Sequence, residues 1–146
     1  MVLSRFFRPQ TSILFSLEEA ASALRNQRYS VEPMEARSIA GKTMQRIKVK
    51  KGQTSFVLSS DGQVLTFLVA VRLEAGWSDM DIIKWNANKS YMAFTYSPEG
   101  NMAILKHHCF ISNGVPEKTF LRLADIWAGF IPKFLEEMGL PESNLV

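Results

Sequence analysis

Apolar positions recur at helical spacing in three stretches of this chain. Leu17, Ala20, Ala21 and Leu24 fall on one stripe, while Glu18, Arg25 and Arg28 face elsewhere. Ser16 stands before the stripe, Glu19 lies three positions on and Phe15 precedes the serine, a capping-box arrangement that predicts a helix from about Leu17, fading by Tyr29. Ser78, followed three residues later by Asp81, predicts a shorter helix ending near Asn88, with Met80, Ile83 and Ala87 on its stripe. The third begins near Pro116 and presents Phe120, Leu123, Ala124, Trp127, Ile131, Phe134 and Met138 before it stops at Gly139-Leu140-Pro141. Pro132 inside it cannot donate to the carbonyl of Ala128, which predicts a kink there.

Between the helices the pattern shifts to a period of two. Residues 43–50 alternate, Ile47 and Val49 on one face and Arg46, Lys48 and Lys50 on the other, so one face meets water. A break at Lys51-Gly52 leads into 54–59, and Asp61-Gly62 is a hairpin signal into 64–73. Residues 64–71 are apolar at nearly every position, which predicts a central strand covered on both faces. Residues 91–96 and 102–111 form a second hairpin across Ser97-Pro98-Glu99-Gly100-Asn101. Pro33 restricts any strand over 30–35 to a sheet edge, and 36–41 reads as loop. The predicted order is α-β-β-β-α-β-β-α: an α+β fold with an antiparallel sheet of about five strands and three helices. One domain over residues 15–141 is expected, between tails at 1–14 and 142–146.

Composition changes this picture little. A chain of 146 residues, 47% hydrophobic and 21% charged, has the makings of one globular core and neither a fibrous nor a disordered bias. The net charge of +3 is unevenly spread: residues 1–51 hold ten Lys/Arg against four acids, the remainder seven against ten. The single cysteine, Cys109, allows no internal disulfide, which points to a reducing, cytoplasmic setting. Residues 1–13 set Arg5 and Arg8 among Phe6, Phe7 and Pro9 and lack the apolar run of a signal peptide. No eighteen apolar residues run together, so no membrane span is expected.

Trp85-Asn86, followed by Lys89-Ser90-Tyr91 and the hairpin over 93–105, resembles the YbjN family of bacterial sensory transduction regulators. Asn113-Gly114-Val115-Pro116-Glu117 is similar to that family's glycine-containing lead into its last helix, and Trp127 to Phe134 to its apolar end. The first helix and the three-stranded meander fit as well, so the resemblance covers about 130 residues of the chain. The chain departs from the family's pattern at Ile83, where members often carry asparagine, and at Pro116, where they often carry a hydroxyl cap. The resemblance implies a fold like that of type III secretion chaperones, a homodimer, no catalytic residues and no cofactor. Trp85, Asn86 and Gly114 are its signature positions, read as structural: the indole packing on the sheet, the amide bonding nearby backbone.

Candidate chemistry is sparse. In His107-His108-Cys109 a strand places the first and third on one face and the second on the other, so only two ligands converge and no metal site is expected. The adjacent His108 points to the opposite face and supplies Cys109 with neither a base nor an electropositive site, so no nucleophile is expected either. Arg46, Lys48, Lys50 and Lys51 suit phosphate contacts, but that strand has no aromatic residue to stack on bases. The expectation is therefore a non-enzymatic protein-binding module that dimerises, with nucleic-acid binding through the strand near 46–51 as the alternative. Val69 and Val71, on the strand that needs two covers, are the expected partner-binding positions.

Overall fold

Strand pairing is antiparallel throughout the computed structural model, which describes residues 12–87 and 93–146. The N-terminal tail as far as residue 11, the expected helix end at Asn88, and Lys89, Ser90 and Tyr91 of the family-like segment lie outside the described residues. Six strands form one sheet in the order β2-β3-β4-β5-β7-β6: β2 Ser30–Ile39, β3 Lys42–Lys51, β4 Thr54–Ser60, β5 Val64–Arg72, β6 Thr95–Ser97 and β7 Met102–Phe110. A separate two-residue pair joins β1 (Ile13–Leu14) to β8 (Val115–Pro116). With helices α1 (Leu17–Asn26), α2 (Asp79–Ala87) and α3 (Glu117–Met138), the fold is α+β.

The sheet gains a strand over the expected five in β2, which the expected order did not count and which runs past residue 35. It pairs with β3 from Ser30 opposite Lys50 to Ile39 opposite Lys42, with a register shift between Met34 and Arg37. Residues 36–39, expected as loop, are therefore strand, and the turn is Ala40-Gly41, both at positive φ. Of β2 only Val31 and Met34 are even half-buried, so no apolar alternation announced it. Pro33 is tolerated because β2 is the edge strand. At the β4–β5 turn the Asp61 carboxylate accepts the N–H groups of Gln63 (2.9 Å) and Val64 (2.8 Å). Those two bonds, the Val64 one first, hold its pKa below the usual carboxylate range.

The starts of α1 and α2 carry the capping bonds their sequences predict, whereas α3 begins at Glu117 after Pro116 without a side-chain cap bond. Ser16 Oγ accepts the Glu19 N–H at 3.1 Å, and Glu19 Oε1 accepts the Phe15 N–H at 2.9 Å. Ser78 donates its N–H (2.8 Å) and hydroxyl (3.0 Å) to Asp81 Oδ2. The expected stripe of α2 is corrected: Ile82 is its buried residue, whereas Met80 and Ile83 are 56% and 52% exposed. α3 runs on through Pro132 and ends at Gly139 in the left-handed region.

Two aromatic clusters bind the layers together. Trp127 and Phe120 of α3 meet Phe67 of β5 at 5.5 and 5.6 Å between ring centroids, and Phe56 of β4 lies 6.0 Å from Trp127. In the second, Trp85 stands edge-on to Phe134 (4.9 Å) and Phe94 (5.0 Å). Its indole thus packs on α3 and on the approach to β6. Asn86 beside it donates Nδ2–H to the Phe94 carbonyl (2.7 Å) and accepts the Phe94 N–H (2.8 Å), as a paired strand would. Chain beyond the expected domain limits also packs: Leu14 is buried, Leu145 pairs with Val71, and the Val146 N–H reaches the Ala70 carbonyl at 2.9 Å. No described helix is long and apolar enough to cross a membrane.

Gly114 sits at φ +83°, and a Cβ there would lie 2.5 Å from Ile13 Cγ2 and 2.9 Å from Phe15 Cε1. Gly129, inside α3, has open space around it. Gly114→Ala should therefore lose about 1–3 kcal/mol from left-handed strain and crowding. Gly129→Ala should gain up to about 1 kcal/mol from helix propensity. Urea unfolding of both checks this; a Gly114→Ala midpoint equal to wild type would show that this approach is loose.

Candidate functional site

Because side chains alternate along strands and paired residues share a face, the register sorts every strand position onto one of two surfaces. One carries Val49, Phe56, Leu58, Leu65, Phe67, Val69, Val71, Ala103 and Leu105, all buried under the helices. The other runs in cross-strand rows. Arg46, Ser59, Thr66 and His108 form one; Lys48, Val57, Leu68 and Lys106 form the next; Ala70, Ile104 and Thr95 lie beyond. Val57, Leu68, Ala70, Ile104 and Met102 are only half-buried. This open face is the candidate site.

The expectation that Val69 and Val71 meet a partner is corrected. They are 2% and 0% exposed and sit in the chain's own core. A one-residue shift of parity moves every side chain to the opposite face, so the strand was the right one and the positions were the wrong ones. Leu68 and Ala70 take that place. The polar residues Thr66 and Arg72 share the parity of Leu68 and Ala70, and were the signal that even positions of this strand point outward.

The basic residues divide by the same rule. Arg46, Lys48 and Lys50 lie on the open face, as alternation predicted. Arg46 is committed to the Glu35 carbonyl, donating from Nε (3.0 Å) and Nη2 (2.8 Å), and Lys50 pairs with Glu32 at 3.5 Å. Lys48 and Lys106 make no ion pair among the described residues. They share one row, three inter-strand steps or about 14 Å apart at the backbone, and Glu32 of β2 continues that row beyond Lys48. Between them Val57 and Leu68 form an apolar floor. Next to it Thr66 Oγ1 and His108 Nδ1 share a hydrogen bond of 2.8 Å.

Lys51 turns to the helical side, where it pairs with Asp125 of α3 (3.4 Å) and lies 4.7 Å from the Tyr29 ring centroid. The buried Tyr29 hydroxyl donates to the same carboxylate, so this clasp ties the end of α1 to α3 and β3. His107 and Cys109 are on the helical side and His108 on the open face. His107 stands edge-on to Phe67 at 6.4 Å, and burial raises the Cys109 thiol above its ordinary range. Among the described residues no three His, Cys, Asp or Glu side chains are grouped to hold a metal ion.

A groove of about 750 Å³ also opens between α1 and the β3–β4 side of the sheet, lined by Leu17, Ala21, Arg25, Gln45, Ile47 and Ser60 among others. The sequence reading missed it, because nothing in it says how far α1 sits from β3. Trp85, Asn86 and Gly114 lie within packing and turn geometry, away from the open face. No family model, curated protein or solved structure matches this chain.

Burial first, then the hydrogen bond to Asp125 and its charge, raise the Tyr29 pKa well above its ordinary value. Folded protein therefore keeps a proton that the unfolded chain releases near pH 10. The contribution is complete below about pH 10 and is lost as pH climbs from there toward the folded value. Urea midpoints should thus fall above pH 10, and fall less steeply in Tyr29→Phe; parallel curves would remove Tyr29 from this linkage.

Proposed function

We propose that this chain is a non-enzymatic, cytoplasmic protein-binding module of the YbjN type, regulatory or chaperone-like, whose open sheet face takes the partner. The observation that carries the reading is the half-buried floor of Val57, Leu68, Ala70 and Ile104 on the face of the sheet opposite the one that packs its core against the helices. Sheets normally bury an apolar face against another layer, and the described helices all pack on the opposite face. Asp61 and Asp81 are engaged in turn and helix-start hydrogen bonds, and Cys109 is partly buried, which raises its thiol above the ordinary range.

Homodimerisation belongs to the same proposal. The exposed pair Met80 and Ile83, one turn apart on α2, supports it with an apolar stripe that no described element covers. Nucleic acid is the second reading, favoured by Arg46, Lys48, Lys50 and Lys106 around the face. The floor argues against it: the residues between the basic positions are aliphatic or small, and Phe110, 68% exposed, lies beyond them at one end.

Ile104→Glu places a charge on the open face without touching the helical core. Tagged wild type and Ile104→Glu should be incubated with nuclease-treated extract of the source cells. A protein retained by wild type and lost by the variant is the expected result. Light scattering should give about twice the chain mass for both and a lower mass for Met80→Asp/Ile83→Asp. Identical retained proteins on wild type and Ile104→Glu would take the binding role away from this face.

A further inference from the structure

We infer that the open face receives an amphipathic helix of another protein whose apolar stripe is flanked on both sides by Asp or Glu. The inference rests on the protein-binding reading and adds the chemistry of the partner.

Width selects the secondary structure. Lys48 and Lys106 stand about 14 Å apart in one row, and a helix with its side chains is about 10–12 Å across. A helix laid along β4 and β5 thus has Val57, Leu68 and Ala70 beneath it, Arg72 at one end of the floor, and Lys48 and Lys106 one on each side. An added strand would instead pair with a sheet edge, because the face offers it no free backbone groups.

Charge selects the partner. Lys48 and Lys106 lack ion pairs among the described residues, while Arg46 and Lys50 already have acceptors within the chain. Lys48, with Glu32 of β2 opposite it, and Lys106 stand on the two sides of the apolar floor, and Arg72 points outward at the end of β5, so a helix with carboxylates on one flank only would answer part of the site. That disfavours a second copy of this chain. Two open faces brought together would set lysine against lysine. The exposed stripe of α2 has Asp79 on one flank and Lys84 on the other, and so matches one lysine and opposes the other. A nucleic-acid strand would find cations on this face but no stacking platform between Lys48 and Lys106.

The test uses the full chain and fluorescence anisotropy with three labelled probes. One is a helical peptide of about 18 residues, five turns, with a leucine stripe and glutamates on both flanks. The second has lysine at every glutamate position, and the third is oligothymidine. The glutamate peptide should bind at least about tenfold more tightly than the lysine peptide, and more weakly as salt is raised. Lys48→Glu/Lys106→Glu should weaken it at least about tenfold and shift preference toward the lysine peptide, with Lys133→Glu on α3 leaving both unchanged. Equal affinity for the two peptides, no effect of the double reversal, or tighter binding of oligothymidine would overturn the inference. So would loss of self-association in Ile104→Glu, which would make a second copy the occupant. If the peptide fails while Ile104→Glu still loses a protein from extract, only the acidic-helix inference falls. If neither depends on this face, the protein-binding reading falls with it.

Discussion

Everything in this fold depends on the contact between α3 and the middle of the sheet, where Trp127 and Phe120 bear on Phe67 and Phe56. Each of these rings is almost fully buried, and burial of one such side chain contributes about 1.5–3 kcal/mol. By fixing Phe67 inward, the contact fixes Leu65, Val69 and Val71 inward as well, since side chains on a strand alternate. The same alternation forces Thr66, Leu68 and Ala70 outward. The open face is thus a geometric consequence of the core, and its apolar floor is the part of β5 that the core cannot reach.

A second constraint sets the character of that face. Three of the four basic residues near the β3–β4 turn point outward, and the fourth, Lys51, is drawn to the other side by Asp125 and the Tyr29 ring. Internal acceptors then occupy Arg46 and Lys50. What remains for a partner is a lysine on each side of the apolar floor, Lys48 and Lys106, with Arg72 at the end of β5. Surface ion pairs contribute little to stability, about 0–1 kcal/mol each, so leaving two lysines unpaired costs the fold almost nothing. Their value lies in selecting what docks.

Much of the fold was legible where side chains speak through local chemistry. Ser16 with Glu19, Ser78 with Asp81 and Pro116 before the long stripe marked three helix starts to within a residue or so. Asp61-Gly62 and the turn before Asn101 placed both hairpins. Strand β2 was half legible: residues 36–39 are held by backbone pairing on an exposed edge, which leaves no mark on the apolar pattern. On α2 Ile82 and Ile83 are adjacent and equally apolar, so the apolar pattern alone does not decide that Ile82 is the buried one. The candidate site was legible as a strand and misread as a face, because 64–71 is apolar on both sides and parity is resolved only by tertiary contact.

The most direct measurement of this account compares the stability of Leu68→Lys and Val69→Lys by chemical denaturation. Leu68 is half-buried on the open face and Val69 is 2% exposed beneath α3. Leu68→Lys should stay within about 1 kcal/mol of wild type, as surface substitutions do, and Val69→Lys should lose about 3 kcal/mol or more through a buried, unpaired charge. Equal losses, or a greater loss at Leu68, would contradict the assignment of the two faces and the binding surface derived from it.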